Sequence, residues 1–222
     1  MSREALKAEL KARLLPVESW SIEGGAARSD FDLNPDAVRE ERPLRAAAVL
    51  IPIIAHDGGA TVLMTRRADT LASHTGQIAF PGGRLDPGET AVQAALREAW
   101  EEVALDPGAV EVLGLGDAYE TGTGFLVTPV IGWLNRAPET RPSPDEVAEV
   151  FEVPWDFLID GANHRRDYYE PETGPRRWYW AMPFGERYIW GVTAGIVRAL
   201  RVRLYGEDVV AADGAADGED AA

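Results

Sequence analysis

The chain has 222 residues, 45% of them hydrophobic and 27% charged, which suits one globular domain with extensions and a substantial core. Its formal net charge of −15 argues against a nucleic-acid or anionic membrane partner, so an anionic substrate needs a metal or local arginines to reverse the field. Cysteine is absent, which removes disulfide and thiol chemistry, and no run of about 18 apolar residues offers a membrane span.

The start, MSREALKAELKARLL, lacks the apolar core of a signal peptide, and a cytoplasmic location is expected. Leu6, Leu10 and Leu14 recur every fourth residue, which predicts a short amphipathic helix over residues 2–15, packed on the main domain or on a second subunit. Residues 19–42 show no clear period and read as an irregular connector. From residue 45, AAAVLIPII and TVLMTRR flank His56-Asp57-Gly58-Gly59 and predict a hairpin with a solvated His56 at its tip. A glycine-rich turn and a helix follow, and Asp106-Pro107-Gly108 supplies the stop. AVEVLGLGDAY, GFLVTPVIGWL and VAEVFEVP read as strands, and WDFLID as one helical turn. Residues 165–169 and 177–184 are aromatic strand candidates. In YIWGVTAGIVRALRVRL, Val192, Ile196, Leu200 and Arg203 fall at helical spacing, which predicts a C-terminal helix. The expected division is an N-terminal helix and connector over 1–42, the main domain over 43–205, and an acidic disordered tail over 206–222.

The stretch GGRLDPGETAVQAALREAWEEVAL, residues 82–105, carries the chemistry. Thr90 with Gln93 three residues on is the preferred helix cap, and Asp86-Pro87 with Glu89 is the alternative. Glu98, Glu101 and Glu102 then share one face near the helix C-terminus, where the macrodipole disfavours each anion by roughly 0.3–1 kcal/mol. A divalent cation relieves that repulsion, and an all-oxygen donor set suits Mg²⁺ or Mn²⁺ rather than zinc. Gly82 and Gly83 let the main chain approach a phosphate or turn a carbonyl toward a metal. Arg97 is placed to pair with Glu101 one turn on.

Five residues separate Gly83 from Glu89, seven separate Glu89 from Arg97, and Arg97-Glu98-Ala99-Trp100-Glu101-Glu102-Val103-Ala104-Leu105 completes the run. This resembles the Nudix box, G-x5-E-x7-R-E-U-x-E-E-x-G-U with U apolar, with Ala104 standing in place of the last glycine. The resemblance implies an α/β fold, an α/β/α sandwich around a mixed sheet. It implies that Glu98, Glu101 and Glu102 hold the metal, that Gly83 can add its carbonyl, and that Glu89 pairs with Arg97 to orient Glu98. If residue 104 is left-handed, alanine there costs on the order of 1 kcal/mol.

Upstream, LMTRRADTLASHTGQIAFPGG, residues 63–83, resembles the motif L-L-T-x-R-[SA]-x3-R-x3-G-x3-F-P-G-G of coenzyme A diphosphatases. Thr65, Arg67, Ala68, Gly76, Phe80, Pro81, Gly82 and Gly83 match, Met64 replaces a leucine, and Ala72 replaces an arginine suited to a phosphate. The resemblance implies metal-dependent hydrolysis of coenzyme A or a derivative to adenosine 3′,5′-bisphosphate and a 4′-phosphopantetheine product. Arg66, Arg67, Gly76, Phe80 and Gly82 are the implied substrate-binding positions, with a homodimer as family habit. His74 reads as a structural hydrogen-bonder, and Glu98, Glu101, Glu146 and Glu149 are the candidates to take the water's proton. The rival readings are another nucleoside diphosphate substrate, such as ADP-ribose, and a nucleotide-binding module without catalysis.

Overall fold

The computed structural model describes residues 2–39, 42–68 and 76–207; Ala72, His74 and the tail from residue 208 lie outside the described residues. The expected N-terminal helix is α1 (Arg3–Arg13), capped by the Ser2 hydroxyl, which accepts the Ala5 amide hydrogen. Leu6, Leu10 and Leu14 are buried in the larger of two core clusters, so the apolar stripe is covered within its own chain. Each leucine so covered contributes roughly 1.5–3 kcal/mol. Lys7 and Lys11 straddle Glu111 at 2.6 and 2.8 Å.

The connector is more ordered than its sequence suggests. β1 (Arg28–Ser29) pairs in parallel with residues 119–120, and a short 3₁₀ turn follows, closed by a capping box between Ser29 and Asp32. What holds it is long-range and polar: the Asp30 carboxylate accepts from the Tyr119 hydroxyl at 2.9 Å and from the Gly122 amide at 2.8 Å. Such contacts leave no hydrophobic period to read.

β2 (Arg45–His56) and β3 (Gly59–Arg67) form the expected hairpin, with His56 opposite Gly59. His56 is tied down, its Nε2 standing 2.6 Å from Glu152. β4 (Ile78–Ala79) pairs with β3, and β5 (Gly82–Arg84) pairs with β2. The central helix α2 (Ala91–Val103) leads to β6 (Glu111–Leu115), β7 (Tyr119–Glu120), β8 (Phe125–Leu134) and β9 (Val147–Pro154). β2 and β8 run parallel in register from Arg45 opposite Phe125 to Ile54 opposite Leu134. Strands covered on both faces need near-continuous apolar sequence, which is why AAAVLIPII and VTPVIGWL do not alternate.

After α3 (Trp155–Ile159), a separate antiparallel sheet is built from β10 (Arg165–Tyr169), β11 (Arg177–Phe184) and β12 (Arg187–Trp190), followed by α4 (Val192–Tyr205). The C-terminal helix begins at Val192, the first of the four positions at helical spacing. Tyr188–Trp190 belong to β12, and the chain turns at Gly191, in the left-handed region at φ 63°, before helical geometry begins. Arg203, on the periodic face of α4, reaches Asp117 instead of an apolar neighbour. One core cluster joins α1, α3 and α4 to the main sheet, and the other joins α2 to its opposite face through Ala48, Leu50 and Ile54. The architecture is therefore an α/β/α sandwich around a mixed sheet.

Ala104 is left-handed at φ 56° and ψ 31°, the only non-glycine residue with positive φ among those described. Its amide donates to the Trp100 carbonyl at 2.9 Å and that of Leu105 to Ala99 at 3.2 Å, closing α2 before the Asp106-Pro107-Gly108 stop. Ala104→Gly removes the Cβ cost of this conformation. It is expected to stabilise the fold by about 1 kcal/mol, or roughly 2–4 °C in Tm, measured by thermal and denaturant unfolding.

Candidate active site

α2 begins as the spacing predicts, at Thr90, whose hydroxyl accepts from the Gln93 amide while the Gln93 side chain accepts from Thr90. Asp86 is not the cap; its amide donates to the Glu89 carboxylate at 2.8 Å. Small residues dominate the inward stripe: Ala91, Ala94, Ala95 and Ala99 are buried, so the helix lies close on the sheet. Glu98 and Glu102 continue that stripe one step around. The three carboxylates are consequently unequal: the Glu102 residue is 5% exposed, while the Glu98 and Glu101 side chains are 18% and 52% exposed.

Arg97 organises the rim. Its guanidinium donates to Glu89 at 2.8 and 3.0 Å, to Glu98 and Glu101 at 3.0 Å each, and to the Arg84 carbonyl at 3.1 Å. Both pairings read from the sequence coexist, Glu89 taking the bidentate share. The bond from Arg97 holds the Glu89 carboxyl below its ordinary pKa, and Glu89 in turn raises that of Arg97. The link ties the β5 loop to the helix.

β5 brings glycine main chain up against the carboxylates. A Cβ on Gly82 would strike the Ala48 carbonyl and the Val49 backbone, so that position requires glycine, whereas one on Gly83 would meet only the end of the Glu98 side chain. The Gly82 amide donates to Glu102 at 3.3 Å. Burial pushes the Glu102 carboxyl up to about 8, with help from the charges of Glu98 and Glu146; the Gly82 bond and nearby Arg67 oppose the rise. Burial also raises Glu98, against Arg97 and together with Glu101 and Glu146.

The other expected residues divide. Arg67 acts on Glu102 through its charge, and among the described residues its buried Nε has no hydrogen-bond partner. Arg66 stands 3.6 Å from Glu149, which also pairs with Arg187. Glu149 is thus held between two arginines, whereas Glu146 sits exposed and acts on both Glu98 and Glu102 through its charge. Gly76 is left-handed at φ 68°, at the start of the segment into β4. Phe80, expected at the substrate, is 4% exposed and packs in the larger core, so its ring supports the turn from beneath.

The sequence reading missed how Glu146 is brought here. The Arg141 and Ser143 amides donate to the Val103 and Glu102 carbonyls at 2.9 and 2.8 Å, satisfying the end of α2 and docking the RPSPDE loop on it. The Ala68 amide then donates to the Glu146 carbonyl at 2.9 Å. Two prolines before an acidic pair were the only signal.

Among the described residues, no three acidic or histidine side chains converge into a closed metal cage, because Arg97 draws Glu98 and Glu101 to itself. The donor chemistry nevertheless fits a hard cation. A buried carboxylate, Glu102, and a partly buried one, Glu98, both with raised pKa, stand one turn apart, and glycine main chain packs against Glu98 and hydrogen-bonds Glu102.

A family model described as the NUDIX domain matches residues 44–171. The chain belongs to the Nudix family. It is 42% identical over 174 residues to a protein named Uncharacterized Nudix hydrolase NudL from Escherichia coli O6:H1, across 78% of this chain and 89% of that protein. NudL of Escherichia coli K12 is 41% identical over the same span. Among solved structures, a Caenorhabditis elegans Ap4A hydrolase binary complex aligns with TM-score 0.44 and 23% identity, covering 51% of this chain and 81% of that one. As a Nudix hydrolase the chain acts on phosphoric anhydrides of nucleoside diphosphate derivatives, in a family that generally uses divalent metal ions. Among the described residues no helix is long and apolar enough to cross a membrane.

Proposed function

We propose that this Nudix hydrolase cleaves the diphosphate of coenzyme A or one of its derivatives, giving adenosine 3′,5′-bisphosphate and a 4′-phosphopantetheine product. The observation that carries the reading is that the two ends of the 63–83 segment meet at one carboxylate: Arg67 and the Gly82 amide both act on Glu102. An unpaired buried guanidinium nitrogen beside that carboxylate suits a phosphate oxygen. Glu98, Glu101 and Glu102 are the residues that hold the metal in this reading, with Gly83 able to add a carbonyl. A bound Mg²⁺ or Mn²⁺ supplies charge that offsets the diphosphate and acidifies the attacking water. Arg97 positions Glu98, and Glu89 fixes Arg97.

Glu146 fits the proton acceptor better than Glu149, because Glu149 is neutralised by Arg66 and Arg187. Glu146→Gln is expected to lower kcat by about 100-fold or more, measured by steady-state kinetics. Glu149→Gln is expected to cost far less in the same measurement. The substrate itself is tested by a metal-dependent hydrolysis panel of coenzyme A, acyl-coenzyme A and ADP-ribose, read by product mass. Preference for ADP-ribose over coenzyme A overturns the coenzyme A assignment while leaving the diphosphatase intact.

A further inference from the structure

A cleft of about 480 Å³ opens between the aromatic sheet, the connector and the loop joining β7 to β8, with Gln77 of the segment before β4 in its wall. That volume is within the range of small-molecule sites, roughly 300–1,000 Å³. Strand alternation puts Tyr179, Trp190, Tyr169 and Arg177 on one face of the small sheet, and all four line the cleft. The Tyr179 and Trp190 rings are 5.2 Å apart and tilted by 58°, while Trp190 and Tyr169 stay 37% and 54% exposed. Arg177 is half-buried, and its side chain has no hydrogen bond, ion pair or ring contact among the described residues. Arg42 lies against the opposite wall, where Gly124 leaves room for its guanidinium.

The cleft is built rather than incidental. Beyond the end of β12, the Asn34 side chain takes the place of a strand beside β11, donating to the Trp178 carbonyl and accepting from its amide at 2.8 Å each. This contact fixes the connector as a wall. Gln77 precedes Gly82 by five residues, a stretch that spans at most about 18 Å, so the cleft opens within one extended ligand's reach of the carboxylates.

Exposed aromatic faces beside guanidinium groups, in a chain of net charge −15, select a flat, anionic ligand. We propose that this cleft binds the purine nucleotide end of the substrate, with Trp190 and Tyr179 as the stacking surface for the base and Arg177 as the partner of a phosphate on the ribose. The inference rests on the reading of the chain as a nucleotide diphosphatase and adds the site that recognises the nucleotide.

Titration of the full-length chain with adenosine 3′,5′-bisphosphate, read by calorimetry, tests it directly. Arg177→Gln and Trp190→Leu are each expected to weaken binding about 10-fold or more, the loss expected of one stacked base or one charged hydrogen bond. In hydrolysis of coenzyme A the same variants are expected to raise KM by a similar factor with kcat within about twofold. Trp190→Leu tests the ring, and Arg177→Gln, a change at a partly open position, guards against a folding artefact. Unchanged affinity in both folded variants overturns the cleft assignment and leaves the diphosphatase reading to its own hydrolysis panel. Binding that depends on Arg177 and Trp190 in a protein that does not cleave coenzyme A sustains the cleft and overturns the substrate. Loss of a dimer in the Trp190 variant, with bisphosphate affinity unchanged, assigns the face to a second copy and overturns the proposal.

Discussion

Glu102→Gln is expected to abolish turnover, lowering kcat/KM by more than the ~10–100-fold cost of losing an outer-shell partner, while making the metal-free protein more stable at pH 8. The two effects have one cause. Glu102 is 5% exposed, and burial pushes its carboxyl up to about 8. In the unfolded chain the same group titrates near 4.5. Between those values the folded state holds a proton that the unfolded state has released. Stability of the metal-free protein therefore falls as pH rises from about 4.5 through about 8. Glutamine keeps an oxygen to accept from Gly82 but cannot ionise, so the variant loses this part of the slope; Glu98 and Asp30, both raised by burial, still contribute in the same direction. Adding Mg²⁺ to the parent protein is expected to release a proton below pH 8 and to raise Tm most at the alkaline end. Thermal unfolding from pH 5 to 8.5 with and without Mg²⁺, together with steady-state kinetics, measures all three. An active variant, or one whose metal-free pH slope matches that of the parent, removes Glu102 from the metal site.

The pattern behind this prediction was legible because it is local. Thr90 with Gln93, the alanine stripe and the Glu98, Glu101, Glu102 face are all set by a repeat of 3.6 residues, and the β2–β3 hairpin by an equally short-range signal. The difference among the three glutamates was not legible. It depends on the roll of α2 against the sheet, which buries Glu102 and leaves Glu101 at the rim. Contacts between distant parts of the chain were hidden for a related reason. Asn34 meets Trp178 across 144 positions, and Asp30 meets Tyr119 across 89, each through polar groups that leave no periodic trace. The placing of Glu146 depends on main-chain bonds from Arg141 and Ser143 to the end of α2, for which side-chain identity matters little. The last strand of the aromatic sheet is hidden for another reason: Tyr188–Trp190 run apolar straight into α4, and Gly191 alone marks the break.

Arg97→Met is expected to cost about 2–3 kcal/mol of stability at pH 7 and to lower kcat by about 10–100-fold with a smaller change in KM. The stability figure lies between an exposed ion pair, at ~0–1 kcal/mol, and a fully buried one, at ~3–5 kcal/mol, because the Arg97 and Glu89 side chains are 26% and 19% exposed. The methionine keeps the apolar length of the arginine stem and removes every donor at once. Glu89 then loses its bidentate partner, and Glu98 keeps its partial burial with no cation beside it. Because Arg97 holds the Glu89 pKa below its ordinary value, the stability from this pair is present above about pH 4.5 and disappears as pH falls through the lowered value. The gap between parent and variant should accordingly close in acid, while any loss of apolar packing would persist there. Arg97→Lys keeps the charge but cannot make the forked contact with Glu89 while also reaching Glu98 and the Arg84 carbonyl, so it is expected to restore less than half of the lost stability. Urea unfolding of the three proteins at pH 7 and pH 3.5 separates charge from geometry. Full rescue by lysine would reduce Arg97 to a point charge and remove the clamp between the β5 loop and α2.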